Sequence, residues 1–258
     1  MIDSWAAAVA GGYLLGSIPV AVLAGRARGV DPRQAGDQNP GFWNMKDQLG
    51  WAGALPVLAG DTLKGTAAGL LGLMLAHGVL GRGVLGHGVL GHGVLGGRAP
   101  GGVALVYAAV AAAMIGHAWP VFARLRGGRS VLTFAGGFAV ICPPAFVLGI
   151  ALCAGVALLV RSFATGARAG VFAVPFLQLI FTPALEVAAT GALMSLIGVR
   201  FGMAALAARH RKRRLSPEAR PPHQGTGLAP GAQTEPGTPD NGAPARTAPA
   251  EQSHPPSG

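Results

Sequence analysis

Charged side chains are scarce in this chain. They make up 12% of its 258 residues, about half the share usual in soluble domains. Together with 51% hydrophobic residues and a mean hydropathy of +0.46, that scarcity argues against a water-soluble globule. It points to a chain that crosses a bilayer several times. Cysteine is nearly absent. Cys142 and Cys153 both lie in apolar sequence, which suits small buried side chains and excludes a disulfide or cysteine–metal framework. No basic residue precedes the first apolar run. That run therefore lacks the charged start of a signal peptide and reads as a first span that is kept. Acidic residues number only 10, giving a formal charge of +10. In a soluble protein this would suggest nucleic acid. Here the Lys and Arg are expected in loops and tails on the cytoplasmic side, and no nucleic-acid partner is expected.

Apolar sequence fills most of the first 215 positions. The runs are about Trp5 to Ala24, Trp51 to Leu75, Gly101 to Phe122, Val131 to Val160 and Val171 to Ala208. A polar loop, Arg26 to Gly50, separates the first two. A five-residue repeat, "HGVLGRGVLGHGVLGHGVLGG", occupies 77–97. Its histidines, His77, His87 and His92, have glycine-rich spacing without fixed coordination geometry, so it reads as a loop expansion and no metal site is expected. From 216 to 258 the sequence turns to Pro, Gly, Ala and Thr with almost no large apolar residues. Such a tail buries too little surface to fold and is expected to be disordered. The expected organisation is a membrane domain over 1–215 and a tail over 216–258.

The expected fold is all-α, a polytopic integral membrane helical bundle. Plain hydropathy gives five spans. Seven follow if Pro143-Pro144 and Thr182-Pro183 divide the last two runs. Both counts are odd. The basic clusters "RHRKRRL" and "RLRGGR" then place the carboxyl terminus in the cytoplasm and the amino terminus outside.

Ionisable residues inside apolar runs are costly and each calls for a reason. Asp61 and Lys64, in "GDTLKG", are three apart and share one helix face. As a pair they satisfy one another. As a site, Lys64 is an ammonium for a phosphate and Asp61 orients it. In "RLRGGRS", arginines 124, 126 and 129 surround Gly127-Gly128. Glycine N–H groups and guanidinium forks together suit an anion. The same stretch also reads as an ordinary positive loop. The Gly- and Asn-rich "RQAGDQNPGFWN" just beyond the first span suits a backbone nest for phosphate, or a turn-rich connection.

In order and spacing these pieces resemble the acyl-phosphate-dependent glycerol-3-phosphate acyltransferases of bacteria, the PlsY-type family. "YLLGSIPVAVLAGR" is similar to its first span and Ser-Ile-Pro. "GDQNPGFWN" stands where it has Gly-Ser-Gly-Asn-x-Gly-Ala-Thr-Asn, and "DTLKG" matches its Asp-x-x-Lys-Gly. "GHAWPVFARLRGGRSVLT" is similar to its Gly-His-x-x-Pro-Val-Phe…Gly-Gly-Lys-Gly segment, and "ARHRKRRL" to its closing His-Arg-x-Asn. The resemblance covers about residues 10 to 215.

It implies seven spans in the bacterial cell membrane and an active site at the cytoplasmic face. It implies transfer of a fatty acyl group from acyl phosphate to the 1-hydroxyl of glycerol 3-phosphate. The products are lysophosphatidic acid and phosphate, in phospholipid synthesis, with no cofactor and no metal. Lys64 and His117 are then the catalytic candidates. Ser17, Asn39, Gly41, Asn44, Asp61, Gly127, Gly128, Arg129 and His210 are the substrate-binding candidates. The departures cluster at the anion site. Asp37 replaces a Ser, Gln38 a Gly, Asp47 an Arg, Arg129 a Lys and Ser130 a Gly. Carboxylates beside a phosphate are expected to repel it. The alternatives are thus a member without turnover, or with a retuned site, that binds or regulates at the membrane, and a small channel or transporter.

Overall fold

Prolines and glycines set where the helices start and bend. The computed structural model describes residues 2–77 and 100–215. One compact unit takes in Met1–Arg213, and a second comprises Arg214–Gly258. The repeat from 78 onward and the tail from 216 lie outside the described residues.

The first helix, α1 (Ile2–Gly16), ends at Ser17-Ile18-Pro19, and α2 (Val20–Arg26) follows at once. Proline lacks the N–H that would continue the ladder. The helical ladder is therefore interrupted between the two helices. α3 (Phe42–Ala76) is bent at Gly50, whose φ of 66° and ψ of −164° are non-helical. Sequence reading assigns everything before Gly50 to a loop; in the structure 42–49 is already helical, and the glycine is a kink within the helix. α4 (Pro100–Ala118) leads through a short 3₁₀ turn, Val121–Ala123, into the Gly127-Gly128 loop. α5 (Val131–Ile141) and α6 (Pro143–Val160) divide at Cys142, where two prolines open the second helix. α7 (Phe163–Gln178) is capped by the Ser162 hydroxyl, which accepts from the Thr165 N–H at 3.3 Å. α8 (Ala184–Leu215) follows Pro183. Both proline breaks thus separate helices. Among the described residues the secondary structure is helical without strands.

The core is a four-helix group, α1, α3, α4 and α5, with α6 packed along α7. The helices of the core approach closely. A Cβ added at Gly65 of α3 would meet the Thr133 carbonyl of α5, and one added at Gly136 of α5 would meet the Thr62 carbonyl of α3. Small residues at such crossings are how helices associate where hydrophobic burial offers no driving force. Phe134, Phe138, Met114 and Val110 fill the space between α4 and α5.

Among the described residues, four helical stretches are long and apolar enough to cross a membrane: Ile2–Arg26, Gly102–Ala123, Pro143–Val160 and Ala184–His210. Large apolar side chains stand outward, among them Leu158, Leu159, Phe176 and Leu185. The chain is a multi-pass membrane protein, whose outer surface is apolar because its solvent is lipid.

Candidate active site

The break at Ser17-Ile18-Pro19 supplies the first wall of a partly open cleft of about 240 Å3. Ile18 and Pro19 line it, with Pro40 from the loop before α3, Asp61 and Lys64 from α3, and His117 from α4. Pro120, Arg126, Gly127 and Gly128 complete it.

Asp61 and Lys64 are one helical turn apart and are 2% and 6% exposed. The Lys64 Nζ stands 2.9 Å from Asp61 Oδ1 as an ion pair. It also donates to the Ile18 carbonyl at 3.1 Å. A carbonyl at the α1–α2 break, which also accepts the Val20 N–H at 3.0 Å, therefore orients the ammonium. His117 Nδ1 lies 3.6 Å from the same Asp61 oxygen, so one carboxylate sits between two nitrogen groups. Its other nitrogen, Nε2, packs against Gly128, where an added Cβ would collide with it. Gly128 in turn donates its N–H to the His117 carbonyl at 3.1 Å. Lysine, aspartate, histidine and the glycine pair thus form one connected group.

Elsewhere the predicted residues do different things. Ser17 is fully buried next to the cleft, and its Oγ has no hydrogen-bond partner. Asn44 braces the 32–39 loop: its Nδ2 donates to the carbonyls of Pro32, Ala35 and Asn39 at 2.9, 3.0 and 3.0 Å. Gly41 precedes α3, with the Asn39 amide close by. Arg129 does not line the cleft. Its Nη2 donates to Asp37 Oδ2 at 3.1 Å, and its guanidinium stacks on Phe201 at 4.6 Å. His210 is exposed near the end of α8. In the same loop, hydrogen bonds from Arg33 hold the Asp31 carboxyl well below the usual carboxylate range.

Asp37 is thus paired with a guanidinium in this structure. Two residues where the resemblance has glycine carry positive φ angles. Gln38 has φ 60° and Ser130 φ 62°, a left-handed conformation that disfavours side chains. Ser130 is offset by a buried hydrogen bond from its Oγ to the Met114 carbonyl at 2.7 Å.

Sequence reasoning missed Arg200. This α8 residue donates from Nε to the Gly128 carbonyl at 3.1 Å and from Nη2 to the Gly127 carbonyl at 2.9 Å. Its guanidinium lies 5.0 Å from the centre of the Trp119 ring. The signal was in the sequence: an arginine within an apolar run. The same rule had picked out Asp61 and Lys64. Among the described residues no group of three His, Cys, Asp or Glu is arranged to hold a metal ion. What the arrangement can do is receive an anion, through an ammonium, a guanidinium and a glycine backbone.

The glycerol-3-phosphate acyltransferase family matches residues 6–215 of the chain. The chain is similar to the glycerol-3-phosphate acyltransferase of Rubrobacter xylanophilus, 40% identical over 134 residues, covering 52% of this chain and 55% of that protein. The match thus spans little more than half the length of that relative. To glycerol-3-phosphate acyltransferase 2 of Moorella thermoacetica it is 32% identical over 178 residues, covering 69% of this chain and 79% of that protein. Among solved structures it is similar to the glycerol 3-phosphate form of PlsY (YgiH), an integral membrane glycerol 3-phosphate acyltransferase. The TM-score is 0.58 at 24% identity, covering 82% of this chain and 92% of the other. At that identity the likeness concerns the fold.

Proposed function

The chain belongs to the glycerol-3-phosphate acyltransferase family, and from that premise we propose that it transfers a fatty acyl group from acyl phosphate to the 1-hydroxyl of glycerol 3-phosphate. The products are lysophosphatidic acid and inorganic phosphate, which feed phospholipid synthesis. The observation that carries this reading is the buried Asp61–Lys64 pair, with His117 beside it, opening onto a cleft walled by Gly127-Gly128. A buried ammonium held by one carboxylate and one carbonyl is oriented without further rearrangement, which suits charge that develops during reaction.

In this reading the hydroxyl oxygen bonds to the acyl carbonyl carbon, and the bond from that carbon to the phosphate oxygen breaks. The hydroxyl proton passes to the departing phosphate, so no strong side-chain base is required. Lys64 meets the growing negative charge. His117 positions or polarises the substrate. Gly127, Gly128 and Arg129 cradle the acyl phosphate. Ser17, Asn39, Gly41 and Asn44 shape the glycerol 3-phosphate side, Asp61 orients Lys64, and His210 completes the set. Arg200 fixes the glycine loop from behind through its two carbonyls. The membrane domain is 1–215 with seven spans, the amino terminus outside. The cleft faces the cytoplasm of a bacterial cell, where both phosphate compounds are dissolved or presented.

A second reading, a member that binds without turnover, is favoured by one observation: Asp37 already pairs with Arg129. Phosphate release from palmitoyl phosphate by the purified chain, with and without glycerol 3-phosphate, separates the two. Acceptor-dependent release that disappears in Lys64→Ala supports the transferase. No release from folded protein supports the binder.

A further inference from the structure

Arg129 and Asp37 are 92 residues apart in sequence and 3.1 Å apart in space. Neither lines the cleft, but both belong to segments that do. Arg129 follows Gly128, and Asp37 precedes Pro40 by three positions; Gly128 and Pro40 both line the cleft. A Cβ added at Gly128 would stand 3.0 Å from the Pro40 carbonyl, so the two segments touch there.

The carboxylate is aimed by its own turn. The Asn39 N–H donates to Asp37 Oδ1 at 3.0 Å, leaving Oδ2 for the arginine. Phe201 holds one face of the guanidinium. Only part of the guanidinium's donor set is used: Nη2 is paired, while Nε is buried and has no partner. A phosphate offers two or three oxygens to such a fork; a carboxylate held at this angle offers one. The pair is also accessible, with the Asp37 side chain 45% and the Arg129 side chain 23% exposed. Ion pairs this exposed are weak and exchange readily.

We propose that Asp37 is a built-in competitor for the anion position at Arg129, a residue that sets how tightly the cleft takes a phosphate. The incoming phosphate displaces the carboxylate, and the displaced charge stays close enough to lower affinity for a dianion. The proposal rests on the acyltransferase reading only for the identity of that phosphate, donor or acceptor. The geometry holds for any phosphate monoester or acyl phosphate.

The test is phosphate binding by the purified full-length chain, with turnover measured alongside. In Asp37→Ser, which keeps a side-chain oxygen for the Asn39 N–H, the Kd for inorganic phosphate is expected to fall about fivefold to tenfold. Asp37→Asn, similar in size, is expected to act in the same direction. Asp47→Ser, which removes an exposed carboxylate further along, is expected to leave Kd within twofold. The gain is expected to vanish in Asp37→Ser/Arg129→Ala. Whichever KM falls in parallel, that for glycerol 3-phosphate or that for palmitoyl phosphate, identifies the phosphate that sits there. An unchanged or higher Kd in both Asp37 variants overturns the proposal, as does a gain that survives loss of Arg129. If the chain turns over but Kd does not move, the competitor is wrong and the transferase stands. If Kd tightens in a chain without turnover, the competitor stands and the transferase falls.

Discussion

The core helices and the outer helices of this protein differ in how much of their surface lies inside the protein. In the most apolar stretch of α4, 61% of residues are buried; in the corresponding stretches of α6 and α8 the figure is 11%. α4 lies among α1, α3 and α5, and these helices approach until backbone meets backbone, at Gly65 against Thr133 and at Gly136 against Thr62. Outside the core α7 meets α6 as closely, at Gly166 against the Cys153 carbonyl, but Gly155 of α6 and Gly198 of α8 have nothing within 4 Å of an added Cβ. Among the described residues the buried ionisable side chains, Asp61, Lys64 and His117, lie in the crowded region, where buried charges find fixed partners. The outer helices contribute to the cleft at one place, where Arg200 and Phe201 of α8 reach the glycine loop and Arg129.

That contrast can be broken first at its charged centre. Lys64→Ala leaves Asp61 buried beside a histidine alone, and the expected cost is about 3–5 kcal/mol of stability with activity at background. Arg168→Ala, at an exposed site on α7, should shift stability by less than about 0.5 kcal/mol. Thermal unfolding in detergent measures both, and comparable losses would undo the distinction. The second test concerns sign. Gly65→Ala drives a methyl into a backbone carbonyl and should destabilise by about 1–3 kcal/mol. Gly198→Ala, in open space, should stabilise by up to about 1 kcal/mol through helix propensity. Third, Arg200→Ala removes two charged hydrogen bonds from the glycine loop, with an expected loss of about tenfold in kcat/KM. Arg200→Lys, which keeps charge without the fork, should recover part of it. A purely structural role for Arg200 would leave kcat/KM unchanged in folded protein. The smallest effects lie in the loops. Gln38→Gly should stabilise by about 1 kcal/mol by relieving a left-handed residue, whereas Ser130→Gly should be close to neutral because it also loses the bond to Met114. Lowering the pH adds one more small effect. The Asp31 carboxyl is depressed by Arg33, so its contribution is present above an unfolded pKa near ~3.9 and is lost as pH falls through the lower folded value. Loop protection from proteolysis should accordingly be flat from pH 8 to 5.

Hydropathy and proline placement made most of the helices legible, down to the breaks at Pro143 and Pro183. The helical turn pairing Asp61 with Lys64 was legible too, since spacing of three is a local property. Contacts between distant segments were not. Nothing local joins Asp37 to Arg129, so two substitutions that look separately damaging turn out to face each other. Arg200 escaped notice because an apolar run averages away a single charge. The helical 42–49 segment escaped because Gly50 resembles a boundary, and only its dihedral angles reveal a kink.

The placement of indole rings has an optical consequence. Trp119 stacks under Arg200, and Trp43 and Trp51 lie within 5.6 and 5.2 Å of the Lys46 ammonium beside Phe163. The remaining tryptophan, Trp5, is in α1 about 12 residues before Ser17, roughly 18 Å along the helix. Trp119 is therefore the emitter tied to the glycine loop, through Arg200. Movement of that loop on ligand entry would change its emission without a label, and a Trp119→Phe variant would isolate its share of the signal.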